Sequence, residues 1–127
     1  MSPAPKSFLH YNAAWNEPDP ARVRRHLDLA VADGVVFADP DDRTEGIDEL
    51  EAMICKARRE LPGAEYAVAS EVDGGHDLRY RYHWEVRSGD GGPRSLGTDF
   101  TTVDAAGRIT RIDGFFDDLP RVATPPD

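Results

Sequence analysis

Residues 78–87 read LRYRYHWEVR, residues 95–103 read SLGTDFTTV, and Gly89-Asp90-Gly91-Gly92 stands between them. The first run alternates without a break. Tyr80, Tyr82, Trp84 and Val86 fall on one side, and Arg81, His83, Glu85 and Arg87 on the other. Period-two alternation marks a strand with one buried face, and a glycine-rich interruption between two such runs marks a hairpin. Downstream, Asp104-Ala105-Ala106-Gly107 is a second tight turn, and Arg108 to Asp117 is the last strand. Upstream, Gly74-Gly75 is a turn, and Glu65 to Asp73 is a strand with Tyr66, Val68 and Val72 on one side.

The amino-terminal half changes period. Phe8, Tyr11 and Trp15 recur at helical spacing within Ser7 to Asn16. Pro18 stops that helix, and Asp19-Pro20 restarts one, with a capping carboxylate followed by a proline suited to the first helical position. Val23, Leu27 and Ala30 form its buried stripe, and Asp33-Gly34 is expected to end it. Val35 to Asp39 reads as a short strand and Pro40 to Glu45 as a loop. Gly46 opens a third helix with Asp48 and Glu49 near its positive end. Ile47, Leu50, Ile54, Ala57 and Leu61 are its apolar stripe, and Leu61-Pro62-Gly63 closes it. Helices first and a meander of strands after them indicate an α+β domain, three helices packed on one face of a curved antiparallel sheet. Such a curl encloses a pocket lined by inward side chains.

Composition narrows the function. The 127 residues suit one domain, expected over residues 7–119, with residues 1–6 and 120–127 as frayed ends. The formal net charge of −9 disfavours nucleic acid and polyanionic substrates. Cys55 is the single cysteine, so no disulfide can form within the chain, which suits the cytoplasm. Met1 to Ser7 does not read as a signal peptide, and no apolar run is long enough to span a bilayer. His10, His26, His76 and His83 lack metal-site spacing, and Asp39, Asp41 and Asp42 lack that of a calcium loop, so no metal or other cofactor is expected. A small hydrophobic molecule is the expected partner.

Several segments, taken in order, resemble the superfamily of SnoaL-like polyketide cyclases, nuclear transport factor 2 and ketosteroid isomerase. They are Tyr11-Asn12-Ala13-Ala14-Trp15-Asn16 with Asp19, Val35-Val36-Phe37-Ala38-Asp39-Pro40, Glu45-Gly46-Ile47, Gly97-Thr98-Asp99, Asp104 to Ile109, and Gly114-Phe115-Phe116-Asp117. The resemblance implies a cone-shaped fold and, in its ketosteroid isomerase branch, cofactor-free proton transfer on a small hydrophobic carbonyl compound. It places Asp39 as the general base, and Tyr11 and Asp99 as the groups holding the developing oxyanion. A non-catalytic ligand-binding module is the alternative. The resemblance also implies a homodimer through the outer sheet face, where Arg81, His83, Glu85, Asp113 and Phe115 are the candidates.

Each candidate also has a plainer reading. Tyr11 on an apolar helical face is core in many proteins. Asp39 before Pro40 is also a turn residue. Asp99 shares a face with Gly97, Thr101 and Val103, and alternation alone leaves open whether that face points in or out. Trp15, Phe37, Ile54, Tyr82, Trp84, Ile112 and Phe116 are the expected pocket wall.

Overall fold

The computed structural model of the chain describes residues 4–89 and 94–117. The expected loop at 90–92, the first three residues and the tail from 118 on lie outside the described residues. Three helices, α1 (Ser7–Asn16), α2 (Pro20–Ala30) and α3 (Ile47–Glu60), cover one face of a seven-stranded sheet. The strands are β1 (Val31–Ala38), β2 (Arg43–Glu45), β3 (Glu65–Val68), β4 (Asp73–Gly74), β5 (Arg79–Arg87), β6 (Arg94–Val103) and β7 (Ile109–Phe116). Their order is β2-β1-β7-β6-β5-β3, with β4 also on β5.

The expected α+β architecture is present, and its sheet is mixed rather than wholly antiparallel. β1 lies parallel to β7, pairing Phe37 with Ile112 and Ala38 with Asp113. This closure joins elements far apart in the chain, so local periodicity carries no trace of it.

The junction between α2 and β1 also departs from expectation. The helix ends at Ala30, and Val31 turns at once into extended backbone. Val31 is buried and pairs with Ile109, so its packing overrides the Asp33-Gly34 stop signal. Asp33 and Gly34 instead project from an irregularity, five steps along β1 (31 to 36) against two along β7 (109 to 111). Val35 within it and Phe37 after it point into the core.

The expected loop after Asp39 contains β2, antiparallel to the end of β1. The single strand expected over Glu65 to Asp73 is two short ones. Between them Ala69 still donates to the His83 carbonyl, and the Ser70 hydroxyl takes the His83 N–H at 2.8 Å, a side chain replacing the ladder. Leu78 is not strand. It ends a single tight turn in which Asp77 and Leu78 have φ of 56° and 60°.

The core joins Phe8, Tyr11 and Ala14 of α1 to Val23 and Leu27 of α2, to Leu50 and Ile54 of α3, and to Ile109 and Ile112 of the sheet. Leu61, expected on the α3 stripe, is 46% exposed at the cavity mouth. The carboxy-terminal end of α1 is tied to β3 by one side chain. Asn16 donates to the Tyr66 carbonyl at 2.7 Å and accepts the Tyr66 N–H at 2.8 Å. Asn16→Ala is expected to cost about 1–3 kcal/mol, since it strands a strand-edge pair of backbone groups. Urea unfolding measures this, and an unchanged midpoint would contradict it.

Candidate functional site

The inward parity of β1, Val35 then Phe37, carries on to Asp39 just past the end of the strand. There the Asp39 Oδ1 accepts the backbone N–H of Asp41 at 2.9 Å and of Asp42 at 2.7 Å. This is the turn geometry expected of an aspartate before proline. It occupies one oxygen. Among the described residues nothing donates to Oδ2, and the half-buried side chain borders the cavity. Burial raises the Asp39 pKa above 3.8, partly offset by those backbone N–H groups.

Asp99 points inward. It shares its face with Gly97, Thr101 and Val103, all buried, while Phe100 on the other face is exposed. Asp99 is 8% exposed, and its two oxygens have different donors. The Tyr82 hydroxyl donates to Oδ2 at 3.1 Å and the Trp84 indole N–H to Oδ1 at 2.9 Å. Burial pushes its pKa up to about 6 against the pull of these donors, and the Asp39 charge adds to the rise. Without them a carboxyl this deep would stay neutral to higher pH still.

Gly114 brings the two acids together. It pairs with Asp99 in the β6–β7 ladder. A Cβ placed on it would lie 2.9 Å from the Asp99 Oδ1 and 3.5 Å from the Asp39 Cβ. Tyr11 reaches the same place from α1, buried, and its pKa is raised well above the phenol value of 10.0 by burial first and the Asp99 charge second.

Asp39, Tyr11 and Asp99 thus border one cavity of about 320 Å³. Trp15, Phe37, Tyr82, Trp84 and Phe116 are among its walls. Ile54 and Ile112 are not among its walls. Both are fully buried in the core, Ile54 beside Leu50 on α3 and Ile112 between Phe37 and Thr101 in the sheet. Tyr66, Asp41, Asp42 and Leu61 line the cavity without a sequence signal that marks them as wall. The sequence presents Tyr82 and Trp84 only as wall, yet both bond Asp99. Counting equal steps back from the hairpin pairs Tyr82 with Asp99, and the ladder shows that pair, so register is the available signal.

Among the described cavity residues there is no Lys, Arg or His, and among the described residues no three His, Cys, Asp or Glu side chains converge as metal ligands. On the outer face, Arg81, His83 and Phe115 are exposed and Asp113 is half-buried. Glu85, expected there as well, is buried and is among the residues lining the cavity, with Arg87 donating to it at 3.2 Å. Thr98 is also buried on that face, donating to Asp117 at 3.0 Å and hydrogen-bonded to His83 Nδ1 at 2.9 Å.

Helices closing a curved sheet over a largely apolar cavity with acids in its lining define a cone-shaped α+β domain of the nuclear transport factor 2-like type. The model of the SnoaL-like domain family matches residues 8–112, and the chain belongs to that family. A candidate isomerase of the SnoaL-like family from Agrobacterium tumefaciens str. C58 is similar at 35% identity, covering 88% of this chain and 95% of its own, with a TM-score of 0.81. A protein from Kribbella flavida DSM 17836 is similar at 28% identity, covering 92% and 88%, with a TM-score of 0.66. A candidate SnoaL-like polyketide cyclase from Jannaschia sp. CCS1 shares the fold at 15% identity, covering 92% and 90%, with a TM-score of 0.70. No curated protein matches the chain.

Proposed function

We propose that the chain catalyses cofactor-free proton transfer, of the isomerase or cyclase type, on a small hydrophobic carbonyl compound. The observation that carries this reading is the meeting of Asp39, Asp99 and Tyr11 at one apolar-walled cavity. Asp39 takes the proton next to the carbonyl through its Oδ2, its Oδ1 being held by the turn. Asp99, protonated, and Tyr11 donate to the carbonyl oxygen as charge develops there. Ketosteroid isomerase keeps a carboxylic acid neutral in an apolar site for the same purpose, and Asp99 is assigned that role by likeness. A neutral substrate agrees with a described lining that holds acids and no cation. The isomerase description of the Agrobacterium protein points the same way.

The test is a panel of cyclic enones and Δ5-3-ketosteroids incubated in deuterated buffer with no added cofactor. Isomerisation with deuterium uptake next to the carbonyl is expected. Ligand-induced thermal stabilisation with no exchange in any member would instead establish a binding module.

The protein is further proposed to act in the cytoplasm as a homodimer joined through the outer sheet face. Leu96, Phe100 and Phe115 are exposed there, with Phe100 and Phe115 in edge contact at 6.1 Å. Sedimentation equilibrium should give twice the chain mass, and Phe115→Arg should return the monomer. A wild-type monomer at micromolar concentration would refute the dimer.

A further inference from the structure

Gly97 and Gly114 have no positive φ. Their backbone conformation is open to any residue, and glycine inside a strand weakens it. What each supplies is space. Trp84 pairs across the β5–β6 ladder with Gly97. A Cβ on Gly97 would sit 2.0 Å from the Trp84 Cζ2 and 2.4 Å from its Cε2, so that side of the indole occupies the space a side chain at Gly97 would need. Nε1 is bonded to Cε2, and a ring lying this way aims its N–H at the next inward residue, Asp99, which it meets at 2.9 Å. Phe116 packs edge-on against the ring at 5.8 Å. The oxygen that receives this N–H is Oδ1, the same oxygen that rests over Gly114, where Asp39 approaches from the other side.

We propose that Trp84 is the positioning residue of the site: lying in the space left by Gly97, its indole N–H seats the Asp99 carboxyl over Gly114 and so sets its orientation and proton affinity relative to Asp39. The catalytic consequence rests on the function proposed above, whereas the seat itself does not. The titratable groups facing Asp99 are Tyr82 on β5, Tyr11 on α1 and Asp39 at the end of β1. The indole N–H holds the Asp99 pKa down, after the larger pull of the Tyr82 hydroxyl.

The test follows Asp99 by carbon-13 NMR of its side-chain carboxyl and Trp84 by its indole N–H resonance, in protein free of substrate. In the wild type both should titrate with one midpoint. Trp84→Phe keeps a ring and loses the donor. It should raise the Asp99 midpoint by about one pH unit, the worth of one hydrogen bond to a charged group. An alkaline limb in kcat/KM should move with it. A role as wall alone would leave the midpoint in place, and an unmoved midpoint overturns the proposal. If Trp84→Phe does not fold, the wild-type indole resonance decides: a flat one overturns the proposal, and one that follows Asp99 upholds it. Gly97→Ala is not the test, because its Cβ would also lie 2.5 Å from the Phe115 carbonyl oxygen. No turnover with a shifted midpoint would sink the proposed function and leave the seat standing.

Discussion

Asp39→Asn should lower kcat by about 10²–10⁴ on any substrate the protein isomerises, with KM changed little. The amide keeps the shape of the side chain and its acceptor toward the N–H groups of Asp41 and Asp42, so the loop after β1 persists. It has no lone pair able to take a proton at neutral pH, so the step next to the carbonyl loses its base. In the proposed reaction binding uses the aromatic walls, which the change does not touch. Circular dichroism and ligand affinity should match the wild type, and a matched loss of affinity and rate would show that Asp39 serves only the turn.

The second large effect concerns Asp99. In the proposed reaction Asp99→Leu removes one oxyanion donor, and it is expected to cost about 10²–10³ in kcat. It also leaves the Tyr82 hydroxyl and the Trp84 N–H facing an apolar group, so stability is better read from Asp99→Asn. In the folded chain the Asp99 pKa stands near 6 against an ordinary value of 3.8. A carboxyl whose pKa is raised by folding favours the native state in its protonated form. Its contribution is fully present below pH 3.8 and is lost as pH climbs through about 6. The shift of about 2 units corresponds to about 3 kcal/mol between pH 3.5 and pH 7.5. Relative to Asp99→Asn, which has no proton to lose, the wild type should therefore lose about that much stability over this range. Urea unfolding of both proteins at several pH values measures the difference. A constant difference would mean that Asp99 is not buried as described.

Much of this arrangement is legible in the sequence alone. Alternation over 78–87 and 95–103 places Tyr82, Trp84 and Asp99 in strands, and helical spacing puts Tyr11 and Trp15 on one face of α1. What stays hidden depends on contacts between distant segments. The parallel pairing of β1 with β7 carries Asp39 to Gly114, and nothing in either segment alone announces it. The Asp33-Gly34 pair carries a stop signal, but burial of Val31 against Ile109 decides where the helix ends. Ile54 and Ile112 have the same chemistry as wall residues, and burial in the core rather than at the cavity is a property of the assembled layers. Alternation leaves the direction of Asp99 undecided, and the burial of its neighbours Gly97 and Thr101 settles it.

Asp99 also offers the clearest route to disproof, through the pH profile of kcat/KM. As a donor to the carbonyl oxygen it must hold its proton, while Asp39 must have lost its own. The wild-type profile should rise through the Asp39 pKa, above 3.8, and fall through about 6. Asp99→Asn keeps a neutral N–H donor and should lose the fall near 6. A wild-type rate that climbs with pH through 6 would make Asp99 the base, and one indifferent to pH there would remove it from the chemistry.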